Sequence, residues 1–88
     1  MIYVLRLEND KYYIGYTSNI SERITSHFSG GGGTWTQQYK PIEVIETIQG
    51  GKIEERNLTL QYMRKFGWEN VRGGGWSAVV LKGKPRCL

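Results

Sequence analysis

The chain has 88 residues and a mass of 10.1 kDa, enough for one domain, residues 1 to 88, with a single modest core. Twelve Lys and Arg against eight acids leave a net charge of +4 and a pI near 9.4, which favours a polyanionic partner without identifying one. No apolar run approaches a membrane span, and the one cysteine, Cys87, leaves no thiol for an intramolecular disulfide or a multi-cysteine zinc site.

No basic segment followed by an apolar stretch opens the chain, so an intracellular compartment is expected. Residues 2 to 7 and 12 to 17 are rich in β-branched, leucine and tyrosine side chains and flank Asn9 and Asp10, which predicts an antiparallel hairpin. Its register bears on function. A two-residue loop would pair Tyr3 with Tyr16 and send Tyr13 to the opposite face, because side chains alternate along a strand. A three-residue loop or a bulge brings Tyr3, Leu5, Tyr13 and Gly15 onto one face, and this odd loop is the expectation if the two tyrosines work together. Tyr12 and Tyr16 are expected to pack on the other face.

Asn19 followed by Glu22 has the spacing of a capping box and predicts a helix from Ile20 that ends before the glycines at 30 to 33. Ile20, Ile24 and Phe28 form its expected buried stripe, with Arg23 and His27 at the margin. The glycine run is expected to be a mobile loop. Beyond it, Trp35 is either a core residue or an exposed ring that could stack on a base. Residues 42 to 48 fit a third strand. A second helix is expected over Lys52 to Phe66, with an apolar face of Leu58, Tyr62 and Phe66 broadened by Ile53, Leu60 and Met63, and with Gly67 as its C′ residue. The remainder holds the glycines at 73 to 75 and an apolar run, Trp76 to Leu81, that adds a strand or covers the core. Neither glycine cluster has the spacing of a nucleotide-binding loop.

The hairpin and first helix together gather two phenols, a guanidinium and the only imidazole, a collection suited to phosphodiester chemistry. A free phenol, with a pKa of about 10, is a poor base at neutrality unless a cation or imidazole assists it. Arg23 offers a fork of donors matched to phosphate oxygens and to the charge of a pentavalent transition state.

Ile2-Tyr3-Val4, Tyr13-Ile14-Gly15, Arg23 with His27 four residues on, the acidic pair Glu54 and Glu55, and Asn70 follow one another in the order of the GIY-YIG nuclease family, which the chain resembles through Asn70. Met1 stands where the first string has its glycine. The resemblance implies a small α/β domain, a central three-stranded, mostly antiparallel sheet flanked by helices, acting as a metal-dependent DNA endonuclease or nickase. In it Tyr3 is the candidate base, Tyr13 orients the water or a phosphate oxygen, Arg23 stabilises phosphorane charge and His27 tunes Tyr3. Glu55 holds one Mg²⁺ or Mn²⁺, with Glu54 as the alternative ligand, and Asn70 braces the site or touches the phosphate.

Lys11, Lys40 and Arg72 are the candidate DNA backbone contacts, being the cations nearest the motif segments. A homodimer is the simplest route to a double-strand break, and a targeting partner protein the simplest source of sequence recognition for so short a chain. The rival reading is a module that keeps the fold and binds nucleic acid, or helps assemble a complex, without cutting.

Overall fold

In the computed structural model, which describes residues 1–86 and 88, the chain first reverses over a three-residue turn, Glu8–Asp10, whose Asn9 and Asp10 take left-handed φ values of 60° and 56°. Asn and Asp adopt this conformation more readily than other residues with side chains. The expectations for Cys87 lie outside the described residues.

The turn joins β1, Ile2–Leu7, to β2, Lys11–Tyr16, and its odd length sets the pairing Tyr3 with Gly15 and Leu5 with Tyr13. Tyr3, Leu5, Tyr13 and Gly15 therefore share one face. Strand β3, Pro41–Ile48, pairs antiparallel with β1 through two register shifts, as expected for an edge strand that must bend. A fourth strand, β4, Val71–Gly73, extends the three expected by pairing parallel with β2 and makes the sheet mixed, with order β3-β1-β2-β4.

Both faces of the sheet are covered. On one, Ile2, Val4, Tyr12, Ile14 and Val71 pack with Leu60 and Met63 of α3, Lys52–Phe66, whose bounds match the expected helix. Ile2, Val4 and Ile14 are fully buried, each worth roughly 1.5–3 kcal/mol of transfer free energy. Tyr12 lies flat on Phe66, with ring centroids 4.3 Å apart. Ile53, expected on the apolar face, is 72% exposed because it lies in the first turn of α3, ahead of the residues that meet the sheet. Gly67 ends the helix with φ 93° and its N–H on Met63 O.

The other face carries Tyr3, Leu5 and Leu7 under Trp35, Ile20 and Tyr39, contributed by α1, Ile20–Phe28, and a short unforeseen helix, α2, Thr34–Gln38, with its flank. Asn19 caps α1, accepting the Glu22 N–H at 3.2 Å. Its buried side differs from the expected stripe: His27 is 1% exposed, whereas Phe28 is 47% exposed. At 100° per residue Ile20, Ile24 and His27 span an arc of about 60°, and Phe28 falls outside it. His27 can occupy that arc because both its ring nitrogens find hydrogen-bond partners.

The first glycines after α1 close it rather than merely lengthening a loop. Gly30, at φ 87°, places its N–H on His27 O, and Gly31 places its own on Ser26 O, the paired bonds of a Schellman motif. Among the described residues no helix is long and apolar enough to cross a membrane.

Candidate active site

Strand alternation and the odd turn put Tyr3 and Tyr13 side by side, with ring centroids 6.2 Å apart, and α1 lays His27 over both at 5.5 and 5.2 Å. The Tyr3 hydroxyl and His27 Nε2 are 2.8 Å apart in a buried hydrogen bond. One turn earlier on α1, the half-buried Arg23 brings its guanidinium beside the Tyr3 and Tyr13 phenols, a proximity that raises its own pKa. Of the expected catalytic residues, these four are brought together.

Burial pushes the Tyr3 phenol up to about 12, with Tyr13 adding to the rise and Arg23 opposing it. Tyr13 is also raised, again chiefly by burial and again opposed by Arg23. His27 moves the other way, down to about 4, because burial and the Arg23 charge both disfavour an imidazolium. At neutral pH the cluster therefore holds two neutral phenols, a neutral imidazole and one fixed cation.

Glu55 lies in the first turn of α3. It shares an open depression of about 490 Å³ with Tyr16, Thr17, Ser18, Arg23 and Lys52. Burial raises its pKa, while Lys52 and a backbone hydrogen bond from Gly74 pull it down. Glu54 is occupied otherwise: its Oε1 accepts the Gly51 N–H at 2.6 Å and caps α3. Among the described residues no three His, Cys, Asp or Glu gather as a ready-made metal cage. A single half-buried carboxylate facing an open depression fits a Mg²⁺-like ion, which takes one or two carboxylates and completes its shell with water and substrate phosphate.

Asn70 does not join the tyrosines. Its Oδ1 accepts from Lys11 Nζ at 2.6 Å and its Nδ2 donates to Phe66 O at 2.7 Å, so it ties β2 to the far end of α3, about 16 Å along the helix from Glu55. Lys11 is thereby engaged, with its ammonium also 5.3 Å from the centre of the Tyr39 ring. Lys40 is exposed and lines a second cavity, of about 540 Å³, beside His27 and Thr36.

Arg72 is a correction. It is 2% exposed, its guanidinium donates to the carbonyls of Trp68, Val71, Ala78 and Val79, and it lies 4.3 Å from the centre of the Trp35 ring. It holds the C-terminal segment and has no face left for phosphate. Trp35 proves to be the core residue of its two readings, 3% exposed with its indole N–H on Tyr12 O at 2.9 Å.

Sequence reasoning missed Lys52, which looked like an ordinary helix-start cation until the fold set it beside Glu55 and Arg23. It also missed Thr36, which lies 3.3 Å from His27 Nδ1 and has no signature in the sequence.

The GIY-YIG catalytic domain matches residues 1–62. Similar proteins include a UPF0213 protein of Streptococcus pneumoniae serotype 4, 33% identical over 73% of this chain and 64% of its own length. A UPF0213 protein of Natronomonas pharaonis is 35% identical over 52% of this chain and 54% of its own, and one of Neisseria meningitidis serogroup A is 29% identical over 80% and 85%. The chain thus spans between about half and two thirds of the length of the archaeal and pneumococcal relatives. No solved structure matches it. With the paired tyrosines, the Arg23 and His27 helix and the glutamate at the start of α3 in place, the chain belongs to the GIY-YIG catalytic domain family.

Proposed function

We propose that this domain hydrolyses phosphodiester bonds in DNA as a metal-dependent endonuclease or nickase. The observation that carries the reading is the 2.8 Å bond between the Tyr3 hydroxyl and His27 Nε2, formed beside the Arg23 guanidinium. A phenol pushed up to about 12 is a poor base by itself, because the phenolate is scarce at neutral pH. The bond to His27 offers another route. Tyr3 accepts a proton from the attacking water while its own proton passes to Nε2, so no free phenolate is required.

Tyr13 orients the water or a phosphate oxygen, and Arg23 stabilises the charge that builds on the phosphorane. Glu55 would hold Mg²⁺ or Mn²⁺, which when bound supplies Lewis-acid stabilisation of the leaving oxygen. Lys52, Lys40 and Lys11 supply contacts to the DNA backbone, with Lys52 the best placed. One site per chain makes a nick the product of a monomer, and a double-strand break the work of two copies. Selection of a target sequence falls to a partner protein, because backbone contacts position a protein without reading bases.

The rival reading, a binding or assembly module that does not cut, draws on the burial of Tyr3, which is only 1% exposed. Supercoiled plasmid and branched DNA, each with and without Mg²⁺ or Mn²⁺, separate the readings. The expected result is metal-dependent nicking that Tyr3→Phe reduces by about a hundredfold or more while DNA binding persists. Binding without cutting by the unmodified protein would establish the module instead, and neither binding nor cutting would leave assembly as its role.

A further inference from the structure

His27 is the only histidine in the chain, and its two ring nitrogens face different partners. Nε2 meets the Tyr3 hydroxyl at 2.8 Å, and Nδ1 meets Thr36 Oγ1 at 3.3 Å. Thr36 is 3% exposed, and its hydroxyl also donates to Gly33 O at 3.2 Å. A hydroxyl has one proton. If it goes to the Gly33 carbonyl, which can only accept, the oxygen presents a lone pair to His27, and Nδ1 must be the nitrogen that carries hydrogen.

We propose that Thr36 is a positioning residue that holds His27 as the Nδ1–H tautomer, so that Nε2 is kept as the acceptor aimed at the Tyr3 hydroxyl. The catalytic consequence rests on the nuclease reading above, whereas the tautomer itself does not. With Nε2 bare, the Tyr3 O–H donates to it, and the phenol oxygen keeps lone pairs for the Arg23 guanidinium, which can only donate. The proton path balances: the water O–H breaks as a bond to the Tyr3 oxygen forms, and the Tyr3 O–H breaks as a bond to Nε2 forms. The resulting imidazolium retains its Nδ1–H bond to Thr36. In the opposite tautomer Nε2 would donate to Tyr3, and His27 could not take its proton.

The glycine run makes the contact feasible. A Cβ at Gly32 would collide with both Thr36 Oγ1 and His27 Nδ1, so only glycine lets the backbone pass this close to the pair. The Schellman turn at Gly30 and Gly31 directs the chain there, and α2, starting at Thr34, returns Thr36 to the imidazole.

Long-range ¹H–¹⁵N NMR of the unmodified protein tests this directly, since a single histidine leaves no ambiguity of assignment. The expected spectrum at neutral pH is a neutral ring protonated at Nδ1. Thr36→Val should shift the ring toward Nε2–H or a mixture and lower the cleavage rate on the order of tenfold or more, the scale of losing an orienting partner. Thr36→Ser should restore both the tautomer and most of the rate. An Nε2–H ring in the unmodified protein would overturn the proposal, as would a Thr36→Val protein with an unchanged ring and rate. Because the unmodified spectrum alone decides the tautomer, a variant that fails to fold leaves the test intact. A correct tautomer in a protein that never cuts DNA would instead count against the nuclease reading.

Discussion

The ring of Tyr3 lies directly across the bare α-carbon of Gly15, its partner on the neighbouring strand. A Cβ at Gly15 would stand 2.8 Å from Tyr3 Cε1 and closer still to the hydroxyl end of the ring. The glycine of the second tyrosine string is thus a space reserved for the phenol of the first.

Gly15→Ala should therefore act through Tyr3. The ring is wedged between Tyr13 and His27, so it must tilt away and lose the 2.8 Å bond to Nε2. We expect a folded protein destabilised by about 1–3 kcal/mol, the usual cost of overpacking, with cleavage reduced at least about tenfold. Thermal melts and single-turnover rates check this, and a variant that cuts like the unmodified protein would show that the ring tolerates displacement.

His27 should make stability depend on pH. Its folded pKa of about 4 lies below the ordinary value of 6.5, so the unfolded chain binds the proton more readily. Its contribution is fully present above about 6.5 and is lost as pH falls toward 4. Among the described residues, the charged and titratable groups facing it are Tyr3 on β1, Tyr13 on β2, Arg23 on α1 and, across the cavity that it lines, Lys40, and it is the Arg23 charge that adds to burial in holding its pKa down. The melting temperature should fall across this range more steeply for the unmodified protein than for His27→Gln. Parallel curves would show that the acids elsewhere dominate.

The parts of the fold that could be read from sequence are those set by local chemistry. Asn19 and Glu22 announce a helix start, Gly67 a helix end, and the offset between Tyr3 and Tyr13 demands an odd turn once both are required on one face. His27 could not be placed this way. Its inward orientation depends on Tyr3 and Thr36, which belong to other elements, and by hydrophobicity alone Phe28 wins the buried position. Strand β4 has only three residues and owes its existence to the free edge of β2. The cations show the same limit, since charge and sequence position do not distinguish the buried Arg72 from Lys52, which faces the depression.

Arg72→Lys should destabilise the protein while leaving DNA affinity per folded molecule unchanged. Lysine keeps the charge but cannot reach the carbonyls of Trp68, Val71, Ala78 and Val79 with one fork or cover the Trp35 ring with a planar cation. Leaving a buried charge poorly paired and several carbonyls unmet should cost about 3 kcal/mol. Denaturant unfolding and DNA titration in native buffer separate the two effects. A variant of normal stability but weaker DNA binding would return Arg72 to the list of phosphate contacts.

Glu55→Gln and Glu54→Gln should differ sharply although the residues are adjacent. Their side chains diverge by about 100° around the helix, and only Glu55 shares the depression with Arg23. Glutamine keeps an oxygen and nearly the same shape but lacks the charge that holds a hard cation. Glu55→Gln should abolish metal-dependent cleavage without melting the helix. Glu54→Gln retains an acceptor for the Gly51 N–H and should cost at most about 1 kcal/mol of stability while cutting at a near-normal rate. Rates measured for both variants across a range of Mg²⁺ concentrations decide the assignment: a reversed ranking moves the metal ligand to Glu54, and two active variants remove the metal from this helix altogether.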